Sequence, residues 1–132
     1  MVLGLRRLNR RLTRTIPDHV RRAARAALEE NAEIIVAEMK RLVPIDRGDV
    51  RASIGWRWGG APEGTSAFGT ARAGSETITI YAGGGGAFHA IFQEFGTAKM
   101  APTPFFFPAY RAKRRGAKSR VTRKLKKAIR ES

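Results

Sequence analysis

Apolar residues recur every three or four positions between residues 16 and 43, which is the strongest periodic pattern in the sequence. Such spacing places them on one face of a helix. The helix must end by Val43, because the ring of Pro44 disfavours helical backbone in the residue before it. Thr15 suits the cap position of this helix, and Asp18 suits the positive end of its dipole. The predicted buried face consists of Val20, Ala24, Ala27, Leu28, Asn31, Ile35, Met39 and Leu42.

The period changes to two in the middle of the sequence, as expected for half-buried strands. Residues 54–58 alternate apolar with small or polar side chains, and residues 77–82 alternate β-branched side chains. These two segments predict an antiparallel sheet. Residues 59–75 are rich in Gly, Ala, Ser and Thr, which predicts a loop or a mobile hairpin tip.

The segment that joins the helix to the first strand is predicted to turn sharply. Ile45 to Asp49 has the composition of a turn, with Gly48 at a position of positive φ. Residues 50–54 fit either a short helical turn or the approach to a strand.

Helical spacing returns in the last third of the sequence. A short helix is predicted over residues 87–95, and Gly96 would end it. A long helix is predicted from Pro104, with Gly116 as a kink or as the end of its packed part. Its apolar positions are Phe105, Phe106, Ala109 and Tyr110 early, then Val121, Leu125, Ala128 and Ile129. The predicted fold is α+β: a long N-terminal helix packed on a small antiparallel sheet, a short helix and a basic C-terminal helix.

Charge divides the sequence into three parts. The formal net charge is +15, yet residues 26–110 hold seven Lys or Arg and nine acids. Residues 1–25 hold eight arginines and one acid, and residues 111–132 hold eleven Lys or Arg and one acid. The predicted organisation is a basic N-terminal arm over 1–14, one domain over 15–112 and a basic helix or extension over 113–132. Basic ends on a near-neutral body indicate an anionic partner.

The titratable residues do not form the clusters that catalysis or metal binding requires. The sequence has no cysteine, and its two histidines, His19 and His89, are far apart. Asp46 and Asp49 flank Gly48, where turn and cap roles explain them better than a catalytic carboxylate pair does. We therefore predict that the protein is not an enzyme and that it uses no metal and no cofactor.

Two further patterns narrow the function classes. Trp56 and Trp58 are candidate stacking platforms for nucleic-acid bases, but the face they share with Ile54 favours packing in the core or at a subunit interface. The first residues are too basic for a signal peptide, and no apolar run approaches the roughly 20 residues of a membrane span. We expect a protein of the cytoplasm with no membrane partner.

Three segments together resemble the motifs of one family of phage proteins. Residues 43–54, Val-Pro-Ile-Asp-Arg-Gly-Asp-Val-Arg-Ala-Ser-Ile, resemble its motif VPVDTGxLRxSI. Tyr81-Ala82 with residues 90–97, Ala-Ile-Phe-Gln-Glu-Phe-Gly-Thr, resembles YAxxxEFGT, and residues 104–109, Pro-Phe-Phe-Phe-Pro-Ala, resemble PFLRPA. In order and spacing the chain is similar, over about residues 20–130, to the tail-completion or neck-component family of long-tailed phages. The departures from the usual residues are Arg47, Asp49 and Phe107.

The resemblance implies a structural virion protein that forms a ring, with a hexamer favoured, at the head–tail junction or the head-proximal end of the tail. Its neighbours would be neck, tail-terminator or tail-tube proteins, met during assembly in the host cytoplasm. The Arg, Ala and Gly bias also suits a phage-derived gene transfer particle. The residues implied at subunit or partner interfaces are Asp46, Arg47, Arg51, Glu94 and Thr97, and those implied to be structural are Pro44, Gly48, Ser53, Tyr81, Phe95, Gly96, Pro104, Phe105 and Pro108.

Two of these motif residues carry specific expectations. Phe95 is expected to be an aromatic plug in the core. Glu94 fits an ion pair with a neighbouring subunit and fits equally well a solvated helix carboxylate.

The basic ends are expected to be loosely held in the free subunit and fixed in the particle. Their partner is either DNA or acidic neighbouring protein, and the apolar stripe of Val121, Leu125 and Ile129 favours protein for the last helix. A stand-alone nucleic-acid-binding protein is the alternative function, although its cations would then lie on the folded body. The candidate contact residues are Arg6, Arg7, Arg10, Arg11, Arg14, Arg114, Arg115, Lys118, Arg120, Arg123, Lys124, Lys126 and Lys127.

Overall fold

A computed structural model describes residues 17–43, 48–83, 94 and 104–130 of the 132-residue chain. Its elements are α1 (Asp18–Leu42), α2 (Gly48–Ser53), β1 (Gly55–Trp58), β2 (Ser66–Ala73), β3 (Glu76–Ala82) and α3 (Phe106–Arg130). A long N-terminal helix, a small antiparallel sheet and a basic C-terminal helix confirm the predicted α+β class. The predicted short helix over 87–95 lies outside the described residues except for Glu94, which is helical.

Helix α1 forms where the apolar period predicted it. Pro17 occupies the cap position, and its carbonyl oxygen accepts the backbone N–H groups of Val20 and Arg21 at 3.0 and 3.3 Å. The predicted cap, Thr15, lies outside the described residues. At the other end Val43 is extended, as the following proline favours. Its N–H donates to the carbonyl oxygen of Met39 at 3.1 Å. The predicted face is buried, apart from Leu42, which is half-buried.

The sheet has the strand order β1-β3-β2, and both pairs of strands are antiparallel. Trp56 lies opposite Ile80, and Trp58 lies opposite Ile78, so these four side chains share one face of the sheet. Glu29 and Glu33 of α1 accept hydrogen bonds from the two indole N–H groups, which places this face against α1. The sheet therefore supports one flank of the long helix.

Strand β2 corrects the prediction that residues 59–75 form a loop or a mobile hairpin tip, since Ser66–Ala73 is a paired strand. Its Gly, Ala, Ser and Thr side chains have little intrinsic strand preference, but pairing with the central strand β3 satisfies their backbone groups. A register shift between Ala67 and Gly69 leaves Phe68 as the extra residue of a bulge. The Phe68 ring lies 5.6 Å from that of Phe105 and 5.9 Å from that of Phe106. The bulge thereby links the sheet to the start of α3.

The prediction of a positive φ at Gly48 is wrong. Gly48 is the first residue of α2, and positive φ among the described glycines occurs elsewhere. A side chain at this position would meet no atom within 4 Å. Residues 48–53 take the helical alternative, because Val50 then reaches the core, where it is fully buried.

Helix α3 is continuous through Gly116, and its packed part does not end there, since Val121, Leu125 and Ala128 are buried. The division of the chain at residues 112–113 stays a prediction. Helix α3 begins at Phe106, two residues after Pro104, and runs antiparallel to α1. Contacts of the α3 residues Lys113 and Lys124 with Glu38 and Glu30 of α1 fix this direction. Val121, Leu125 and Ala128 are buried, whereas Ile129, predicted to join them, is 60 % exposed.

The packing of α3 removes one reason for expecting residues 111–130 to be loosely held in the free subunit. A helix this polar needs a partner for its apolar stripe. Helix α1 of the same chain supplies that partner, since the contact between α1 and α3 is the most extensive among the described elements. The expectation for residues 1–14 lies outside the described residues.

Candidate interface surface on the last helix

The basic residues of α3 fall into two groups that the sequence did not separate. Lys113, Arg120 and Lys124 turn toward α1 and are half-buried. Lys113 Nζ lies 3.3 Å from Glu38 Oε2, and Lys124 Nζ lies 2.7 Å from Glu30 Oε2. These three cations therefore join the two helices, and two of them, Arg120 and Lys124, were predicted as partner contacts.

Asn31 is the polar centre of the contact between the two helices. Only 7 % of its surface is exposed, and its side-chain amide donates to the Ala117 carbonyl oxygen at 3.1 Å. Its amide oxygen accepts from Arg120 Nε at 2.8 Å. A buried amide with both ends bonded fixes the alignment of α3 on α1, because a shifted register would leave these groups unsatisfied.

Both glutamates that face α3 titrate below their ordinary range. The hydrogen bond from Lys124 lowers the pKa of Glu30, and the charges of Lys124, Arg120 and Arg123 add to the effect. The hydrogen bond from Arg41 lowers the pKa of Glu38, with Lys113 as a second donor. The carboxylates of α1 are thus held in the charged form that the cations of α3 require.

His19, in the first turn of α1, is half-buried. Its Nε2 atom lies 3.2 Å from the carbonyl oxygen of Ala128. The beginning of α1 and the end of α3 are therefore in contact, so the two helices pack over nearly their whole length.

The second group of cations faces solvent. Eight Lys and Arg side chains of α3 are exposed, and residues 106–130 contain no acid. Because the apolar stripe and three bases of α3 are turned toward α1, its outward side carries eight bases and no acid. We call this surface the cationic face; it consists of Arg111, Arg114, Arg115, Lys118, Arg123, Lys126, Lys127 and Arg130.

Glu94 has a structural role that the sequence did not indicate. It is 3 % exposed, so the alternative of a solvated carboxylate is wrong. Its Oε1 atom accepts the backbone N–H groups of Phe105 and Phe106 at 3.0 and 2.7 Å, and its Oε2 atom accepts that of Phe107 at 3.2 Å. The carboxylate thus caps α3 from a distant segment and opposes the positive end of the helix dipole.

Other motif residues also make contacts within the chain. The Arg51 guanidinium donates to the carbonyl oxygens of Lys40 and Val43 at 3.1 and 3.0 Å, at the C-terminal end of α1. Ser53 Oγ accepts the N–H of Gly83 at 2.9 Å and so joins α2 to the end of β3. Tyr81 covers Gly55, where a Cβ would come within 2.8 Å of its hydroxyl oxygen.

The motif residues at the start of α3 occupy different environments. Phe105 is fully buried, Pro104 is exposed, and Pro108 is half-buried in the first turn, where its missing N–H costs no helical hydrogen bond.

Several predicted site residues lie outside the described residues and stay predictions: Pro44, Asp46, Arg47, Phe95, Gly96, Thr97, Arg6, Arg7, Arg10, Arg11 and Arg14.

The two tryptophans pack at the core rather than standing free as stacking platforms. Both are half-buried against it, and the Arg25 guanidinium carbon lies 4.2 Å from the centre of the Trp58 ring. Arg25 also pairs with Glu76, so one α1 arginine bridges β1 and β3. This arrangement agrees with the core interpretation of their shared face.

Within the described ranges, no group of three or more His, Cys, Asp or Glu side chains is placed to hold a metal ion. None of the described helices is long and apolar enough to cross a membrane.

Comparison with known families shows which protein family the chain belongs to. The family described as "Bacteriophage HK97-gp10, putative tail-component" matches residues 6–96. The chain belongs to this family of phage tail components. The match covers α1, α2, the sheet and Glu94, while the tail component's third motif and α3 lie beyond it. No curated protein and no solved structure matches the chain.

Proposed function

We propose that this tail component is a structural ring subunit at the head–tail junction or the head-proximal end of the tail, needed for tail completion and head–tail joining. The family match over residues 6–96 carries the proposal. The cationic face of α3 supports it, because a ring that joins two structures must present different surfaces to each. The protein acts by binding and not by catalysis, and its place is the virion after assembly in the host cytoplasm.

The ring would close through heterologous contacts, in which one surface of a subunit meets a different surface of the next. A hexamer is favoured, with neck, tail-terminator or tail-tube proteins on its two sides. Asp46, Arg47 and Thr97 are the proposed contact residues. Arg51 and Glu94 would support these contacts without making them, because each forms hydrogen bonds within the chain. Arg51 bonds to Val43, which precedes Asp46 and Arg47 in the sequence, and Glu94 precedes Thr97.

Deleting the gene from its phage or gene transfer particle tests this function. We expect filled heads and tails that fail to join, or tails of faulty length, with joining restored by the protein supplied in trans. Electron micrographs of the lysate give the result. Normally joined, infectious particles without the protein would rule out the role.

The alternative of a stand-alone nucleic-acid-binding protein draws on the cationic face alone. Such a protein would be absent from finished particles, and its loss would leave joining intact. The same deletion therefore separates the two functions.

A further inference from the structure

The cationic face has a charge but no apolar centre. Its eight exposed bases lie on residues 111–130, a stretch of helix about 28 Å long at 1.5 Å per residue. The exposed large apolar side chains of the described residues are Phe107 and Ile129, at opposite ends of α3. Protein interfaces place apolar residues at their centre, which this face lacks.

The packing of α3 removes the reason for expecting a protein partner here. That expectation rested on the stripe of Val121, Leu125 and Ile129. Val121 and Leu125 are buried against α1, and Ile129, one turn further along the same side of the helix, has 60 % of its surface exposed. A partner of this surface would therefore recognise mainly the positive charge of the cationic face.

The density of that charge suits attraction to a nucleic-acid backbone. Eight cations lie along about 28 Å of helix, and duplex DNA carries about one negative charge for every 1.7 Å of its axis. Small exposed residues, Ala112, Gly116 and Ser119, lie between the bases and would let a backbone approach closely. No acid within α3 would repel the phosphates.

We propose that the cationic face binds the phosphate backbone of duplex DNA without regard to sequence. The inference rests on the proposed function for the source of that DNA, which is the genome passing the ring, whereas binding itself is a property of the free chain. Lys and Arg side chains contact phosphates, and Ser119 is available as a neutral donor. Salt should weaken the complex steeply, because each neutralised phosphate releases counterions.

Binding of a labelled 30-base-pair duplex to the full chain, followed by fluorescence anisotropy across a range of salt concentrations, tests the proposal. The test variant replaces three outward bases: Arg115→Gln, Arg123→Gln and Lys126→Gln. The matched control replaces three exposed arginines elsewhere: Arg21→Gln, Arg22→Gln and Arg72→Gln. Both variants have the same net charge, and a circular-dichroism melting curve checks that each still folds.

The test variant should bind roughly tenfold to a hundredfold more weakly at physiological salt, and its log–log salt slope should fall by about 0.9 for each phosphate that it no longer neutralises. The control should stay close to the parent protein. Equal weakening in both variants would assign binding to net charge alone and overturn the proposal, as would a parent protein that does not bind DNA.

A polyglutamate chain of matched charge provides the competing partner. If it displaced the duplex at equal charge concentration and physiological salt, the face would be assigned to acidic protein and the proposal would fail. Joining of heads to tails by the test variant in a particle assay is a separate measurement. If the chain binds DNA but its deletion leaves joining intact, the ring function is wrong and the DNA-binding inference still holds.

Discussion

The structural role of a single residue in this protein depends on residues that lie far from it in the sequence. Glu94 was visible in the sequence as an acid in a motif, but nothing local indicates that its carboxylate accepts three N–H groups of α3. For two other residues the local sequence gave a wrong prediction. Gly48 was predicted to have a positive φ, which it lacks, and Ile129 was predicted to lie on the apolar stripe, but it is exposed. Residue type and spacing predict a face, whereas the packing partner determines which members of that face are buried.

Replacing Glu94 tests the remote cap. Glu94→Ala should lower the free energy of unfolding by roughly 2–3 kcal/mol, because it leaves buried N–H groups without acceptors. Glu94→Gln keeps one acceptor oxygen and should lose about 1 kcal/mol. Urea denaturation measures both values. A Glu94→Ala variant as stable as the parent protein would show that the carboxylate is not needed to start α3.

The lowered pKa values of Glu30 and Glu38 predict how stability depends on pH. A carboxylate whose pKa is lower in the folded state stabilises the fold at pH above its unfolded pKa and loses that effect as pH falls through the folded pKa. The melting temperature should therefore fall between about pH 5 and pH 3, partly through these two groups.

A double variant, Glu30→Gln with Glu38→Gln, should show a flatter fall in melting temperature over that range. Glu63→Gln, which removes an exposed carboxylate between β1 and β2, serves as the comparison. If the double variant followed the parent curve, the contacts with Lys124 and Lys113 would not contribute to stability.

At the scale of elements, helices and strands with a strong apolar period could be predicted from the sequence, and a strand without one could not. Helix α1 and strand β3 were predicted because their apolar residues recur at a fixed period. Strand β2 was missed because its small side chains carry no such signal, although Gly74-Ser75, between the paired Ala73 and Glu76, is a known two-residue hairpin turn. The partner of α3 could not be predicted, since a sequence period does not say what covers a face.

Removing the second half of α3 should destabilise the whole domain. A chain ending at Arg115 lacks Val121, Leu125 and Ala128, which pack against α1, and exposes the apolar residues they cover. Burial of Val121 and of Leu125 contributes about 1.5–3 kcal/mol each, so the truncated chain should melt well below the parent. A chain ending at Arg130 is the control. Equal melting temperatures for the two truncations would mean that α3 does not support the fold.

For the whole molecule, the division of charge connects the fold to its function. Residues 6–96 match a family of phage tail components, and the cations of the last helix are sorted into three that hold it to α1 and eight that face outward. The sequence predicted the family and the fold class but not this sorting, which depends on the acids of α1 lying opposite particular bases of α3. Assembly contacts and DNA contacts are thereby proposed for different surfaces of one small protein.

Immunogold electron microscopy of purified particles that carry an epitope-tagged copy of this chain tests the central claim most directly. We expect the label at one place in each particle, the head–tail junction or the top of the tail. Label distributed along the tail, or particles free of the protein, would contradict the account.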